Sequence, residues 1–124
     1  MSSKNKGTRL ERELFHLFWD TNMWVALRAA GSGSTPMPAP DLIVGNKKRK
    51  LAIECKSGKC KRYLTKKEIN ELNEFSRKFG AEAWVGIRFN NVDWLFLQPK
   101  SLGKSKGDNY FISAIFDVWI KSNG

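Results

Sequence analysis

The chain lacks most of what marks an exported, membrane-spanning or zinc-binding protein. It has no apolar run of about 18 residues, so no membrane-spanning helix is expected. Its first residues, Met1-Ser2-Ser3-Lys4-Asn5-Lys6-Gly7, have no signal-peptide core. Only two cysteines, Cys55 and Cys60, and one distant histidine, His16, are present. That set is too sparse for a tetrahedral zinc site, and free thiols in a reduced, intracellular compartment are the expectation. Acids are scarce as well, with 12 Asp and Glu against 22 Lys and Arg, a formal charge of +10. This balance is silent about fold but favours a polyanionic partner, nucleic acid before an anionic membrane. A merely soluble basic protein is the plain alternative. No internal repeat is visible, and 124 residues fit a single domain with a modest core.

What is present is organised around Pro40 to Lys56. Two apolar runs, Leu42-Ile43-Val44 and Leu51-Ala52-Ile53, flank Gly45-Asn46-Lys47-Lys48 and predict a β-hairpin. With the turn centred between Lys47 and Lys48, Asp41 lies opposite Glu54. Opposed residues have Cβ atoms about 4.5–5.5 Å apart, a spacing at which two carboxylates can share one cation. Side chains alternate along a strand, so Glu54 and Lys56 share a face and Cys55 points away. Without a cation the two acids would repel and one pKa would rise.

A first helix is expected over 8–20, with Thr8 and Glu11 spaced as a capping box. Leu10, Leu14, Phe15, Leu17 and Phe18 form its apolar face, and Glu11 falls in the middle of it. Glu11 therefore either bonds back to the Thr8 backbone or reaches the metal site. Residues 1–7 form a basic arm, either frayed or touching phosphates through Lys4 and Lys6. A strand is expected over 23–30. Residues 31–40 hold three prolines and two glycines, so they make an irregular loop entering the acid pair at Asp41. Such a loop is either a mobile substrate contact or a plain surface connection. The basic turn 47–50 and the basic segment 56–63 are read as phosphate contacts. Thr65, Glu68 and Gly80 bound a second helix to which no chemistry is assigned. Strands over 83–89 and 93–98 follow, then a basic loop over 100–107. The apolar stretch 110–120 is read as a strand and a short helix that close the core or cover a second copy.

Pro40-Asp41 followed by Glu54-Cys55-Lys56 is the pattern of the PD-(D/E)xK metal-dependent nucleases. Lys6-Gly7-Thr8-Arg9-Leu10-Glu11-Arg12-Glu13-Leu14, Ala30-Gly31-Ser32 and Glu74-Phe75-Ser76-Arg77-Lys78-Phe79-Gly80 resemble the archaeal Holliday-junction resolvases within that superfamily, collinearly over about residues 4–102. The resemblance implies a restriction-endonuclease-like α/β fold, a central mixed β-sheet of about five strands flanked by helices. It implies a homodimer that cuts four-way DNA junctions with Mg2+ or Mn2+. Carried over by position, Glu11, Asp41, Glu54 and Lys56 belong to the active site. Arg12 contacts DNA, and Arg28 and Ser32 serve the substrate or the catalytic step, with Ser34 the alternative loop serine. Arg9, Lys59, Lys61 and Arg62 complete the expected DNA contacts.

Phosphodiester hydrolysis needs a nucleophilic water and charge neutralisation at phosphorus. Magnesium on Asp41, Glu54 and the Cys55 backbone carbonyl supplies the second and polarises the first. Glu11 orients a water or helps to hold a second cation. Lys56 stabilises charge at phosphorus in preference to acting as a base. Two rivals stay open: a restriction or repair nuclease of the same superfamily, and a non-catalytic DNA-binding protein on the same scaffold.

Overall fold

Asn46 sets the register of the hairpin. Its Oδ1 accepts from the backbone N–H groups of Lys48 and Arg49, both at 2.8 Å, and its own N–H donates to the Arg49 carbonyl at 2.9 Å. The strands on either side, β2 (Leu42–Gly45) and β3 (Lys50–Gly58), then pair antiparallel with Leu42 opposite Ile53 and Gly45 opposite Lys50. This is the register expected from a turn centred between Lys47 and Lys48. These elements come from a computed structural model, which describes residues 3–29, 36–105, 107 and 109–113.

The remaining elements are α1 (Ser3–Asp20), β1 (Val25–Arg28), β4 (Lys61–Leu64), α2 (Lys66–Phe79), β5 (Glu82–Phe89), β6 (Leu95–Leu97), a 3-10 turn over Pro99–Ser101, β7 (Gly103–Lys104) and β8 (Tyr110–Ser113). A mixed five-stranded sheet runs in the order β1-β2-β3-β5-β6, and β4-β8-β7 form a second, small sheet. β3 and β5 are parallel, with Leu51 opposite Glu82 and Gly58 opposite Phe89. A parallel pair needs a crossover connection, which β4 and α2 supply.

Alternation along the strands divides the core in two. On one face Leu14 and Phe18 of α1 pack against Trp24, Ala26, Leu42, Val44, Leu51, Ile53, Trp94 and Phe96. On the other, Ile69 and Leu72 of α2 pack against Ala52, Val85, Ile87, Leu95 and Leu97. Burying a Leu or Phe side chain is worth about 1.5–3 kcal/mol, so the two clusters hold both helices to the sheet. This is the expected α/β architecture, a mixed sheet of five strands with helices on its faces.

Several boundaries differ from the sequence expectations. α1 starts at Ser3, so Thr8 lies inside it and the Thr8–Glu11 capping box does not form. A glycine inside a helix costs only about 0.5–1 kcal/mol, and Gly7 does not stop this one. α1 ends where Thr21 Oγ1 donates to the Phe18 carbonyl at 2.6 Å and Asn22 turns left-handed at φ 59. The basic segment after Lys56 is structured: β3 continues to Gly58, and β4 pairs with β8. At Gly58 a Cβ would lie 3.0 Å from the Lys61 carbonyl oxygen, so glycine permits this tight return. The α2 boundaries are as expected: Thr65 caps, Glu68 completes the box, and Gly80 closes the helix at φ 79. The loop over 100–107 contains the 3-10 turn and β7, and the start of 110–120 is extended as read. The helix expected after it lies outside the described residues.

Candidate active site

The acid pair forms where β2 begins and β3 is still running. Regular pairing stops at Leu42, and the Asp41 N–H donates to the Ile53 carbonyl at 3.0 Å. Asp41 Oδ2 accepts from the Cys55 N–H at 2.8 Å, which fixes the carboxylate against β3. The carboxyls of Asp41 and Glu54 come within hydrogen-bonding reach of each other. Burial, the hydrogen bond with Asp41 and the Asp41 charge push the Glu54 carboxyl up to about 10, against the pull of Lys56. The pair thus holds a proton where no cation neutralises it.

Lys56 follows on the same face of β3 and donates from Nζ to Glu68 Oε2 of α2. Glu68 Oε1 meanwhile accepts from the Thr65 N–H at 3.0 Å, closing the capping box. Burial raises the Glu68 carboxyl, but the bonds from Lys56 and Thr65 outweigh it and hold the carboxyl below its ordinary value. This contact was missed in the sequence because a capping box fully explains an acid at that position. The available signal was the pairing chemistry of an acid at the start of the crossover helix, opposite a lysine on the strand before it.

Glu11 reaches the site from α1, on the opposite face of the sheet. Its Oε1 lies 3.5 Å from Arg28 Nη2. Burial and the Asp41 charge raise its carboxyl, opposed by Arg28. Glu11 has no part in a cap, and from its place in the apolar stripe it pairs with Arg28. Arg28 Nε is buried and has no hydrogen-bond partner among the described residues. The Cys55 thiol points away from Glu54 towards the α1 core, as alternation requires. Burial first, then the charges of Asp41, Glu11 and Glu54, push that thiol well above its ordinary value.

The basic residues separate into groups. Arg9 and Arg12 are exposed on α1, and Lys4 and Lys6 lie in its first turns. Lys59 and Lys61 are exposed after β3, and Arg62 Nη1 donates to the Ser57 carbonyl at 3.0 Å. Ser32 and Ser34 lie outside the described residues. The basic turn is not part of the site. It sits at the opposite end of β3 from Lys56, about 3.3 Å further per residue. There Arg49 forms a two-pronged ion pair with Glu82, at 2.8 and 2.7 Å. A further cation went unmarked in the sequence: Arg88, opposite Ser57 in the β3–β5 pairing, lies 3.3 Å from Glu13. Glu13 Oε1 also accepts from Trp94 Nε1 at 2.8 Å, so this acid is not merely solvated.

Comparison with known proteins identifies the family. Residues 2–119 match the family described as archaeal Holliday junction resolvase (Hjc). The chain belongs to the archaeal Holliday junction resolvase family. Among its relatives, the crossover junction endodeoxyribonuclease Hjc of Archaeoglobus fulgidus is 40% identical over 104 residues, 83% of this chain and 76% of the relative. The Hjc of Methanocaldococcus jannaschii is 39% identical over 108 residues, 86% of this chain and 75% of the relative. The solved structure of A. fulgidus Hjc superposes with a TM-score of 0.80 at 37% identity, covering 86% of this chain and 88% of that one. The fold is therefore restriction-endonuclease-like. Within this resolvase fold the acid pair, Lys56, Glu11 and Arg28 converge on one end of β3.

The donor set fits a hard cation. Asp41 and Glu54 offer carboxylate oxygens, and a cation between them would relieve the burial and mutual repulsion that raise the Glu54 carboxyl. Among the described residues no group of three His, Cys, Asp or Glu side chains sits at metal-holding spacing. A small, hard divalent cation that keeps several waters needs only one or two carboxylates, so two acids suffice.

Proposed function

We propose that this chain is a structure-selective endodeoxyribonuclease that cuts four-way DNA junctions by divalent-metal-dependent phosphodiester hydrolysis. It acts as a homodimer, inside the cell, in DNA recombination and repair. The observation that carries this reading is the Asp41–Glu54 pair beside Lys56, held in the fold of a family whose relatives are named crossover junction endodeoxyribonucleases.

Magnesium, with manganese as a substitute, would be held by Asp41, Glu54 and the Cys55 carbonyl, and supplies Lewis-acid neutralisation at the phosphate. The protein's own groups do the rest. The Cys55 N–H holds Asp41 in its rotamer. Lys56 presents an ammonium on the Glu54 face, where negative charge grows as the water attacks phosphorus. Glu11 orients a water from the α1 side, or adds a ligand for a second cation. Arg28 carries a buried Nε–H with no acceptor among the described residues, and a phosphate oxygen would satisfy it. Arg9, Arg12, Lys59, Lys61 and Arg62 add exposed or half-exposed charge for the arms of the junction. Phosphate contacts of this kind recognise backbone positions and shape more than base edges.

An exposed apolar patch supports the dimer. On the α2 face Val25 is 52% and Leu27 70% exposed, and Leu27 lies opposite Ile43. Phe79 of α2 is 46% exposed and packs on Phe75 at 5.4 Å between ring centroids. α2 covers β3 and β5 and leaves this part of β1 and β2 open. A two-fold copy would cover it and set two active sites to nick two symmetry-related strands. No helix among the described residues is long and apolar enough to cross a membrane.

The test is nicking of an immobile four-way junction and of linear duplex, with magnesium and with chelator. Paired symmetric nicks in the junction alone, and only with the metal, are expected. Cutting of linear duplex would move the chain to another kind of nuclease, and tight binding without cutting would make it a binding protein.

A further inference from the structure

Glu68 does two jobs with two oxygens. Oε1 accepts from the Thr65 N–H at 3.0 Å and lies 3.2 Å from Thr65 Oγ1, while the Glu68 N–H donates to Thr65 Oγ1 at 3.1 Å. Oε2 takes Lys56 Nζ. The Lys56 side chain is 17% exposed and that of Glu68 31%, so the pair is shielded from water on most sides. A capping box uses only one oxygen of its third residue, and glutamine serves it as well as glutamate. The second oxygen is therefore surplus to the helix. It is spent on the lysine that shares a β3 face with Glu54.

We propose that Glu68 is a positioning residue of the nuclease site, a carboxylate that fixes the Lys56 ammonium beside the Asp41–Glu54 pair before the substrate arrives. This rests on the reading of Lys56 as an active-site lysine. A lysine side chain has four rotatable bonds and many rotamers. Left alone on an open sheet face it would sample most of them. Anchored by Glu68, whose own rotamer is locked by the start of α2, it meets the scissile phosphate already placed. The start of the crossover helix is thereby coupled to the chemistry: the backbone N–H at position 65, which any residue but proline keeps, holds one oxygen of Glu68, and the other oxygen holds Lys56.

The chemistry of the two oxygens separates this role from capping. Glu68→Gln keeps the oxygen that Thr65 needs and replaces the other by an NH2 group, which cannot accept from an ammonium. Thr65→Ala does the reverse: it weakens the cap and leaves the carboxylate for Lys56. The experiment measures single-turnover nicking of a four-way junction with magnesium in excess, junction Kd in chelator, and Tm. Glu68→Gln should slow nicking by about 10- to 100-fold, the scale of a misplaced catalytic group. Its junction Kd and Tm should stay close to those of the wild type. Thr65→Ala should lower Tm and keep close to the wild-type rate. In a Lys56→Ala background, Glu68→Gln should cause no further loss, since the two act as one unit. Should Glu68→Gln fail to fold, Glu68→Asp takes its place: it keeps the charge and withdraws it by one methylene, and a slower rate at unchanged Kd is expected.

A wild-type rate for Glu68→Gln, or for Glu68→Asp where that is used, alongside an inactive Lys56→Ala, overturns the proposal and leaves the active site intact. A wild-type rate for Lys56→Ala removes the active-site reading itself. An equal loss of rate in Thr65→Ala and Glu68→Gln also overturns the proposal, because capping would then be the whole effect.

Discussion

Glu54→Gln should make the metal-free protein more stable while removing its activity. Asp41 and Glu54 lie within hydrogen-bonding reach, and burial with the Asp41 charge pushes the Glu54 carboxyl up to about 10. Two unit charges about 4–5 Å apart repel by about 3–4 kcal/mol at an effective dielectric near 20. Above the unfolded carboxylate value, the folded chain must therefore hold a proton that the unfolded chain releases, or bear the repulsion. The sign follows: a raised carboxylate pKa lowers stability progressively as pH rises from about 4.5 towards 10. Glutamine bears no charge at any pH. At pH 8 without metal the variant should exceed the wild type by about 2–3 kcal/mol, roughly 8–12 °C in Tm for a chain of this size. At pH 5 the wild type already carries its proton and the gap should close. Magnesium should raise the Tm of the wild type at pH 8 by mass action and barely move the variant. Thermal scans at pH 5 and pH 8, with magnesium and with chelator, measure all four quantities. A wild-type Tm that holds flat across that range, or a variant less stable at pH 8, would refute the argument.

Three further outcomes are expected. Leu27→Glu places a charge in the exposed patch beside Ile43. It should shift the protein from dimer to monomer in analytical ultracentrifugation and replace paired nicks by single ones, with Tm little changed at monomer level. Arg28→Ala removes a cation whose buried Nε–H has no partner among the described residues; it should weaken junction binding and reduce the slope of log Kd against log salt by about 1. Cys60 is exposed while burial and three nearby acids hold the Cys55 thiol up, so iodoacetamide at pH 8 should label Cys60 alone until the protein is unfolded, as mass spectrometry would show.

The sequence carried the hairpin and α2 well because each has a local chemical signature. Asn46 turns the chain with its own side chain, and Thr65, Glu68 and Gly80 mark both ends of a helix. Asp41, Glu54 and Lys56 were legible for the same reason: a period of two and one turn fix which side chains meet. What depended on contact between distant segments was hidden. Nothing local shows that Arg49 is taken by Glu82, or that Glu13 is shared by Trp94 and Arg88. The start of α1 differs from the sequence expectation because Thr8 and Glu11 have cap spacing, yet nothing before Gly7 prevents the helix from forming. Glu68 was understood only in part, because the motif that explains one of its oxygens left the other out of view.

If the Asp41–Glu54 pair with a divalent cation cuts branched DNA as proposed, activity depends on Glu54. The most direct measurement compares wild type with Glu54→Ala on an immobile four-way junction in magnesium, following both nicking and binding. Paired nicks are expected from the wild type, none from the variant, and junction binding from both. Magnesium-dependent nicking by Glu54→Ala would contradict it.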